Sequence, residues 1–223
     1  MQAEADEEVS SPTDAAEFIR SNLDLLPVPA FPGIKLYTPH PGSGLRRLDS
    51  AVDEDGDPLP PYWAYVWGGG AVLVRHIQAH PEVAAGRRVL DLGSGSGIVG
   101  IAAAQCGAAS VLAAETDANG LAALALNAEA NGVVLSITGE DLTAGAAPEV
   151  DVVLVGDLFY APELAVRVSA FLARCVAAGV TVLVGDPYRA HLPLGTLELV
   201  AEYEVADFGE AAGRRSGVFR FLG

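Results

Sequence analysis

Lysine is almost missing from this 223-residue chain, with Lys35 the single example. The basic residues total 13 against 29 acidic ones, a formal net charge of −16. A surface of that sign repels a phosphate backbone, so nucleic acid is not an expected partner. It would draw in a basic, lysine-bearing surface, although an acidic face can also be simply a solvated one. Cysteine is scarce too. Cys106 and Cys175 fall in apolar helical patterns and lack C-x-x-C spacing, which excludes a disulfide framework and suits a reducing compartment. His76 and His80 lie four apart with no third ligand in view, so no metal site is expected. No apolar run reaches the roughly 20 residues of a membrane helix. The first residues are acidic rather than a basic segment followed by an apolar one, so no signal peptide is expected. These absences lead to the expectation of a cytoplasmic monomer that engages neither membrane nor nucleic acid.

What the chain does have is Arg88-Val89-Leu90-Asp91-Leu92-Gly93-Ser94-Gly95-Ser96-Gly97-Ile98. An apolar run ends in a carboxylate, three glycines alternate, and a helical pattern follows. Glycine has no Cβ, so such a strand-to-helix loop lets backbone approach a ligand closely. Gly95, Gly97 and Gly100 also satisfy the G-x-G-x-x-G spacing of dinucleotide-binding loops, and Glu115 lies 20 residues past Gly95, where a ribose-binding acid is expected. Two adenosine cofactors therefore compete. Glu115 suits both. Asp91 does not, because an anion beside a pyrophosphate costs energy, whereas S-adenosylmethionine lacks phosphate and carries an ammonium and a sulfonium. The stretch resembles the first motif of the class I methyltransferases. An NAD-dependent oxidoreductase is the disfavoured alternative, and a nucleoside-binding protein without catalysis is a further one.

Periodicity organises the rest. Residues 1–67 read as an N-terminal extension. Its first 12 residues are acidic and expected to be disordered. A short helix follows from Thr13 to about Asn22, and a short strand covers 34–37. A helix over 68–80 opens the second part, 68–223. Strands are expected at 87–92, 110–115, 133–138, 151–156 and 179–185, with helices at 97–106, 118–130 and 161–177. That alternation predicts an α/β, Rossmann-like, mostly parallel sheet with helices on both faces. Residues 197–207 and 216–222 alternate apolar and polar and predict a C-terminal antiparallel hairpin. Seven strands in this pattern match a methyltransferase sheet, and a pure dinucleotide domain predicts no such ending.

Ligands of an open parallel sheet bind beyond the carboxyl ends of its strands. Acidic residues stand at those ends. Asp91 is expected to face the donor's ammonium, Glu115 the ribose hydroxyls and Asp141 the adenine amino group. Asp157 would sit where donor and acceptor meet, and Asp186 closes the fifth strand. Acids also terminate strands for purely local reasons. Gly93, Ser94, Gly95, Gly97, Thr116 and Leu142 complete the expected cofactor contacts. Pro61-Tyr62-Trp63-Ala64-Tyr65-Val66-Trp67-Gly68-Gly69-Gly70 packs four aromatics and three glycines ahead of a helix. Aromatic faces attract cations such as a sulfonium, although these rings can equally be core anchors. In Val153-Leu154-Val155-Gly156-Asp157-Leu158-Phe159-Tyr160 a carboxylate and a phenol stand together, able to accept hydrogen bonds from an amine.

P-Y-W-A-Y-V-W-G-G-G, V-L-D-L-G-S-G-S-G, V-L-V-G-D-L-F-Y and V-L-V-G-D-P together resemble the electron transfer flavoprotein β subunit lysine methyltransferases. The likeness runs in order from about Ile34 onward. It implies that Trp67, Asp91, Gly93, Gly95, Glu115, Asp141 and Asp157 take cofactor or active-site roles; from the residues themselves, Asp157 and Tyr160 are the expected catalytic pair, unless Tyr160 only packs at the start of the following helix. It implies S-adenosylmethionine as cofactor and, as substrate, a protein lysine, the flavoprotein β subunit first. Two positions depart from the family pattern. Glu115 stands where Asp is usual, and Trp67 runs directly into glycines. A small-amine, nicotinamide-like methyltransferase is the alternative that the same resemblance carries.

Overall fold

The computed structural model describes residues 12–48, 60–207 and 213–223. A seven-stranded sheet forms its centre. The strands in chain order are β3 (Arg88–Leu92), β4 (Ser110–Ala114), β5 (Ser136–Thr138), β6 (Val152–Gly156), β7 (Thr181–Asp186), β8 (Leu197–Val205) and β9 (Arg214–Phe221). They lie side by side as β5-β4-β3-β6-β7-β9-β8. The first five are parallel, while β9 runs antiparallel to both β7 and β8. The expected α/β architecture is therefore present. The hairpin does not simply append to the edge, however, because β9 inserts between β7 and β8.

The parallel strands are near-continuous apolar runs because helices cover both of their faces. Val89, Val111, Val152, Leu154 and Leu183 point to one face, under α2 (Gly68–Ala79) and α3 (Ile98–Gln105). Leu90, Leu92, Val153, Val155 and Val184 point to the other. There they meet Val168, Phe171 and Leu172 of α5 (Pro162–Ala177). Each such buried side chain contributes about 1.5–3 kcal/mol. Helix α5 starts on Pro162, where a missing N–H costs nothing, with Glu163 in its first turn and Arg174 in its last. Helix α4 (Ala118–Ala130) starts on Asp117, whose carboxylate accepts from the backbone N–H of Asn119 and Gly120 at 2.8 and 2.9 Å.

The N-terminal part departs from expectation. It holds helix α1 (Pro12–Asn22) and a complete hairpin of β1 (Asp24–Val28) with β2 (Phe31–Thr38). Only the second strand was visible as a pattern. β1 carries Pro27 and exposes four of its five residues, so it shows no alternation. The hairpin packs against the rest of the chain. Ile34 and Leu36 join the core beneath α2 and α3. Ile19, Leu23 and Trp63 form a third cluster with Ala122, Ala123 and Leu126 of α4. Asn127 of α4 and Asn131, which caps its C-terminus, tie β2 down, with Oδ1 of each accepting at 2.8 Å from the backbone N–H of Tyr37 and Lys35. Pro12 is the first residue of α1, and the remaining residues expected to be disordered lie outside the described ones. β5 is shorter than the expected 133–138. Gly132 turns the chain at φ 65°, and Val134 is 91% exposed. Among the described residues, no helix is long and apolar enough to cross a membrane.

Candidate active site

Between β3 and β6 the chain order of the sheet reverses, and the crevice above such a switch point is where open α/β sheets hold ligands. A cavity of about 400 Å³ opens there. Nine of the twelve expected site residues line it: Trp67, Gly93, Gly95, Glu115, Thr116, Asp141, Leu142, Asp157 and Tyr160. Asp91, Ser94 and Gly97 do not; they set the shape of the loop.

Asp91 occupies the α3 side of β3 and is 2% exposed. Its Oδ2 accepts from the backbone N–H of Gly100 at 2.9 Å, inside the first turn of α3. Burial pushes its carboxyl up to about 7 against the pull of that bond. The carboxylate thus holds the helix to the strand end and is not a wall of the cavity. Ser94 donates its hydroxyl to the carbonyl of Asp91 at 2.9 Å and lies 3.3 Å from that of Ala114, joining the ends of β3 and β4. Gly97 caps α3 at φ 82°, and a Cβ there would stand 2.3 Å from a Leu124 methyl.

Glu115 closes β4. Its Oε2 accepts from the backbone N–H of Gly95 at 2.8 Å and its Oε1 from that of Asp117 at 2.9 Å. Burial raises its carboxyl despite these bonds. Each carboxylate oxygen keeps a second lone pair for an incoming hydroxyl. Asp141 Oδ1 accepts from the backbone N–H of Thr143 at 2.9 Å and from its hydroxyl, bonds that hold its carboxyl below the usual range. Arg167 lies 3.8 Å away.

The glycines after Trp67 have a steric cause. A Cβ on Gly69 would stand 2.2 Å from the Gly185 carbonyl oxygen, and one on Gly156 would stand 2.9 Å from Gly70 N. The N-terminus of α2 therefore rests directly on the ends of β6 and β7. Its amides are taken by carboxylates, Gly68 N–H by Asp207 at 2.7 Å and Gly70 N–H by Asp157 Oδ2 at 2.9 Å, as the positive end of a helix favours. Asp157 is held at φ 58°, a conformation uncommon outside glycine. Tyr62 stacks between Tyr160 and Trp67, with ring centroids 5.5 and 5.8 Å away. Trp63, 3% exposed, is a core anchor that also lines the cavity.

Sequence reasoning missed Arg189. Its Nε and Nη2 donate to Asp157 Oδ1 at 2.9 and 2.6 Å, and its guanidinium lies 5.8 Å from the Trp67 ring centroid. Asp207 lies 3.9 Å from the same guanidinium. Asp157 therefore does not present a bare carboxylate. Burial raises its carboxyl while Arg189 pulls the other way. Asp186 Oδ1 accepts from Arg189 N–H at 2.6 Å, and its Oδ2 is buried without a hydrogen-bond partner among the described residues. The one available signal was position, since Arg189 follows the carboxyl end of β7.

The residues present fit S-adenosylmethionine. Glu115, Asp117, Glu140, Asp141 and Asp157 line the cavity against only Arg167 and Arg189, a balance suited to hydroxyls and cationic groups and poor for a pyrophosphate. A Cβ on Gly95 would stand 3.6 Å from the Trp63 Cα, an ordinary contact, and Gly95 itself lines the cavity.

Comparison with known proteins agrees. The family model of ribosomal protein L11 methyltransferase (PrmA) matches residues 74–161. The electron transfer flavoprotein β subunit lysine methyltransferase of Xenopus laevis is 35% identical over 204 residues, covering 89% of this chain and 82% of that protein. The human protein of the same name is 37% identical over 180 residues, covering 78% and 67%. Among solved structures, magnesium protoporphyrin IX methyltransferase of Synechocystis with bound S-adenosylmethionine superposes with TM-score 0.51 at 17% identity, over 68% of this chain and 77% of that one. TrmN of Thermus thermophilus gives 0.52 at 24% identity, over 68% and 49%. These likenesses confirm the class I methyltransferase fold and S-adenosylmethionine as the cofactor. With a relative this similar over most of both lengths, the chain belongs to the family of the electron transfer flavoprotein β subunit lysine methyltransferases.

Proposed function

We propose that this methyltransferase modifies the side-chain amine of a lysine in a folded protein, and that its substrate is the electron transfer flavoprotein β subunit. The observation that carries the reading is one cavity walled by the glycine loop and Glu115, and also by Asp157, Tyr160 and the aromatic segment. S-adenosylmethionine supplies an activated methyl group when bound. Glu115 takes the ribose hydroxyls, Asp141 and Leu142 bracket the adenine, and Tyr62 offers a ring face to the cationic centre. Asp157 and Tyr160 flank the acceptor amine. That amine must be neutral to attack, although a free lysine titrates near ~10.4. Enclosure by Tyr62, Tyr160 and Trp67 lowers that value by desolvation. Rate then comes mainly from alignment of the reacting atoms. The acidic surface, at −16 overall, suits a lysine-bearing partner.

The test uses methyl-labelled S-adenosylmethionine, the pure protein, and either recombinant flavoprotein β subunit or free nicotinamide. Label is expected in the protein band, on lysine. Efficient turnover of nicotinamide with no labelled protein would replace this reading with the small-amine one.

A further inference from the structure

The charge at the acceptor end of the cavity raises a difficulty. An isolated carboxylate at Asp157 would hold a lysine as its ammonium, which has no lone pair for attack. Yet Asp157 Oδ1 already receives two N–H groups of Arg189, and Oδ2 receives Gly70 N–H. Arg189 lines the cavity, and its side chain is 21% exposed. Its guanidinium lies over Trp67, where an incoming cation would otherwise settle. We infer that Arg189 is a positioning residue that selects the neutral form of the acceptor amine: it cancels the Asp157 charge and repels a protonated lysine.

This inference rests on the lysine methyltransferase reading above. The other charges around Arg189 have partners of their own. Asp207, at 3.9 Å, caps Gly68 N–H and pairs with Arg214 of β9 at 3.5 Å. Asp186, on the strand that leads to Arg189, accepts from its backbone N–H. Glu115, Asp117, Glu140, Asp141, Arg167 and Tyr160 also line the cavity. Arg189 is therefore the cation in direct contact with Asp157. An arginine serves here because it stays charged at every working pH. With Arg189 in place, an approaching lysine ammonium gives its proton to water. The amine lone pair then forms the new C–N bond. The S–C bonding pair goes to sulfur, so the sulfonium becomes a neutral thioether and the product carries the positive charge on nitrogen.

The test is a pH profile of single-turnover transfer to recombinant flavoprotein β subunit, with S-adenosylhomocysteine affinity measured by calorimetry on each variant. The rate should rise with pH along an acid limb that reports deprotonation of the amine. Arg189→Gln should move that limb up by about 1–2 pH units, the scale of a charge a few ångströms away. Arg189→Lys should keep it near the wild-type position, and nucleoside affinity should change little in either. Asp157→Asn leaves the guanidinium unopposed and should move the limb down. The double variant, Asp157→Asn with Arg189→Gln, leaves neither member of the pair as an uncompensated charge and should bring the limb back up, so the result survives if Arg189→Gln alone folds poorly. Coincident limbs in all the variants would overturn the role of Arg189 while leaving lysine methylation intact. No lysine methylation by the wild-type protein would overturn the function, and this inference with it.

Discussion

Glu115 and Asp91 are both acids at the ends of neighbouring strands, yet their surroundings give them different work. Glu115 faces the cavity with lone pairs to spare, so Glu115→Ala should weaken S-adenosylmethionine binding by about 1–3 kcal/mol, the cost of leaving hydroxyls unpaired. Calorimetric titration checks this, and unchanged affinity would remove Glu115 from the site. Asp91 is sealed behind the loop, and its effect belongs to stability. Its folded value near 7 lies above the ordinary 3.8, as does that of Asp186, near 6. For both, the stability contribution is complete below the ordinary value and is lost as pH rises through the folded one. Between these two limits the protein should become more stable on mild acidification, the reverse of common acid denaturation. Thermal unfolding at pH 8 and at pH 5.5 measures the difference, and Asp91→Asn should flatten it. Glu115 was legible because its 20-residue spacing from Gly95 is fixed by one helix, α3, and the strand β4 that follows it. Arg189 was not, because 32 residues separate it from Asp157 and only the pairing of β6 with β7 brings them together.

At the scale of elements, the junction of α2 with β6 and β7 is built on missing side chains. Gly69→Ala would place a carbon 2.2 Å from the Gly185 carbonyl oxygen, and backbone on both sides leaves nothing flexible to yield. A cost of about 1–3 kcal/mol is expected, equivalent to a loss of roughly 2–12 °C in melting temperature at this chain length. Gly195→Ala, which meets nothing within 4 Å, should be neutral and serves as the control. The glycine triplet was visible in the sequence, but the strand ends that it rests on were not. The buried parallel strands were legible for the opposite reason, since two covered faces force uninterrupted apolar runs. β1 stayed hidden because it is exposed on nearly every residue and carries a proline.

Over the whole molecule, the excess of negative charge acts at a distance. Long-range attraction between an acidic enzyme and a lysine-bearing partner is screened by salt, so KM for the protein substrate should rise several-fold between about 50 and about 300 mM NaCl. S-adenosylmethionine affinity, set inside the cavity, should change far less. A salt-independent KM would mean that the −16 charge only solvates the surface. The insertion of β9 between β7 and β8 sets an order of events in time. During synthesis the strands bearing the glycine loop, Glu115 and Asp157 all leave the ribosome first. The free edge of β7, next to Arg189, then waits for a strand made after β8. Arg214, the partner of Asp207, arrives on that same strand. The nucleoside half of the site can therefore form on the nascent chain, whereas the acceptor half becomes complete only once β9 has slid into place.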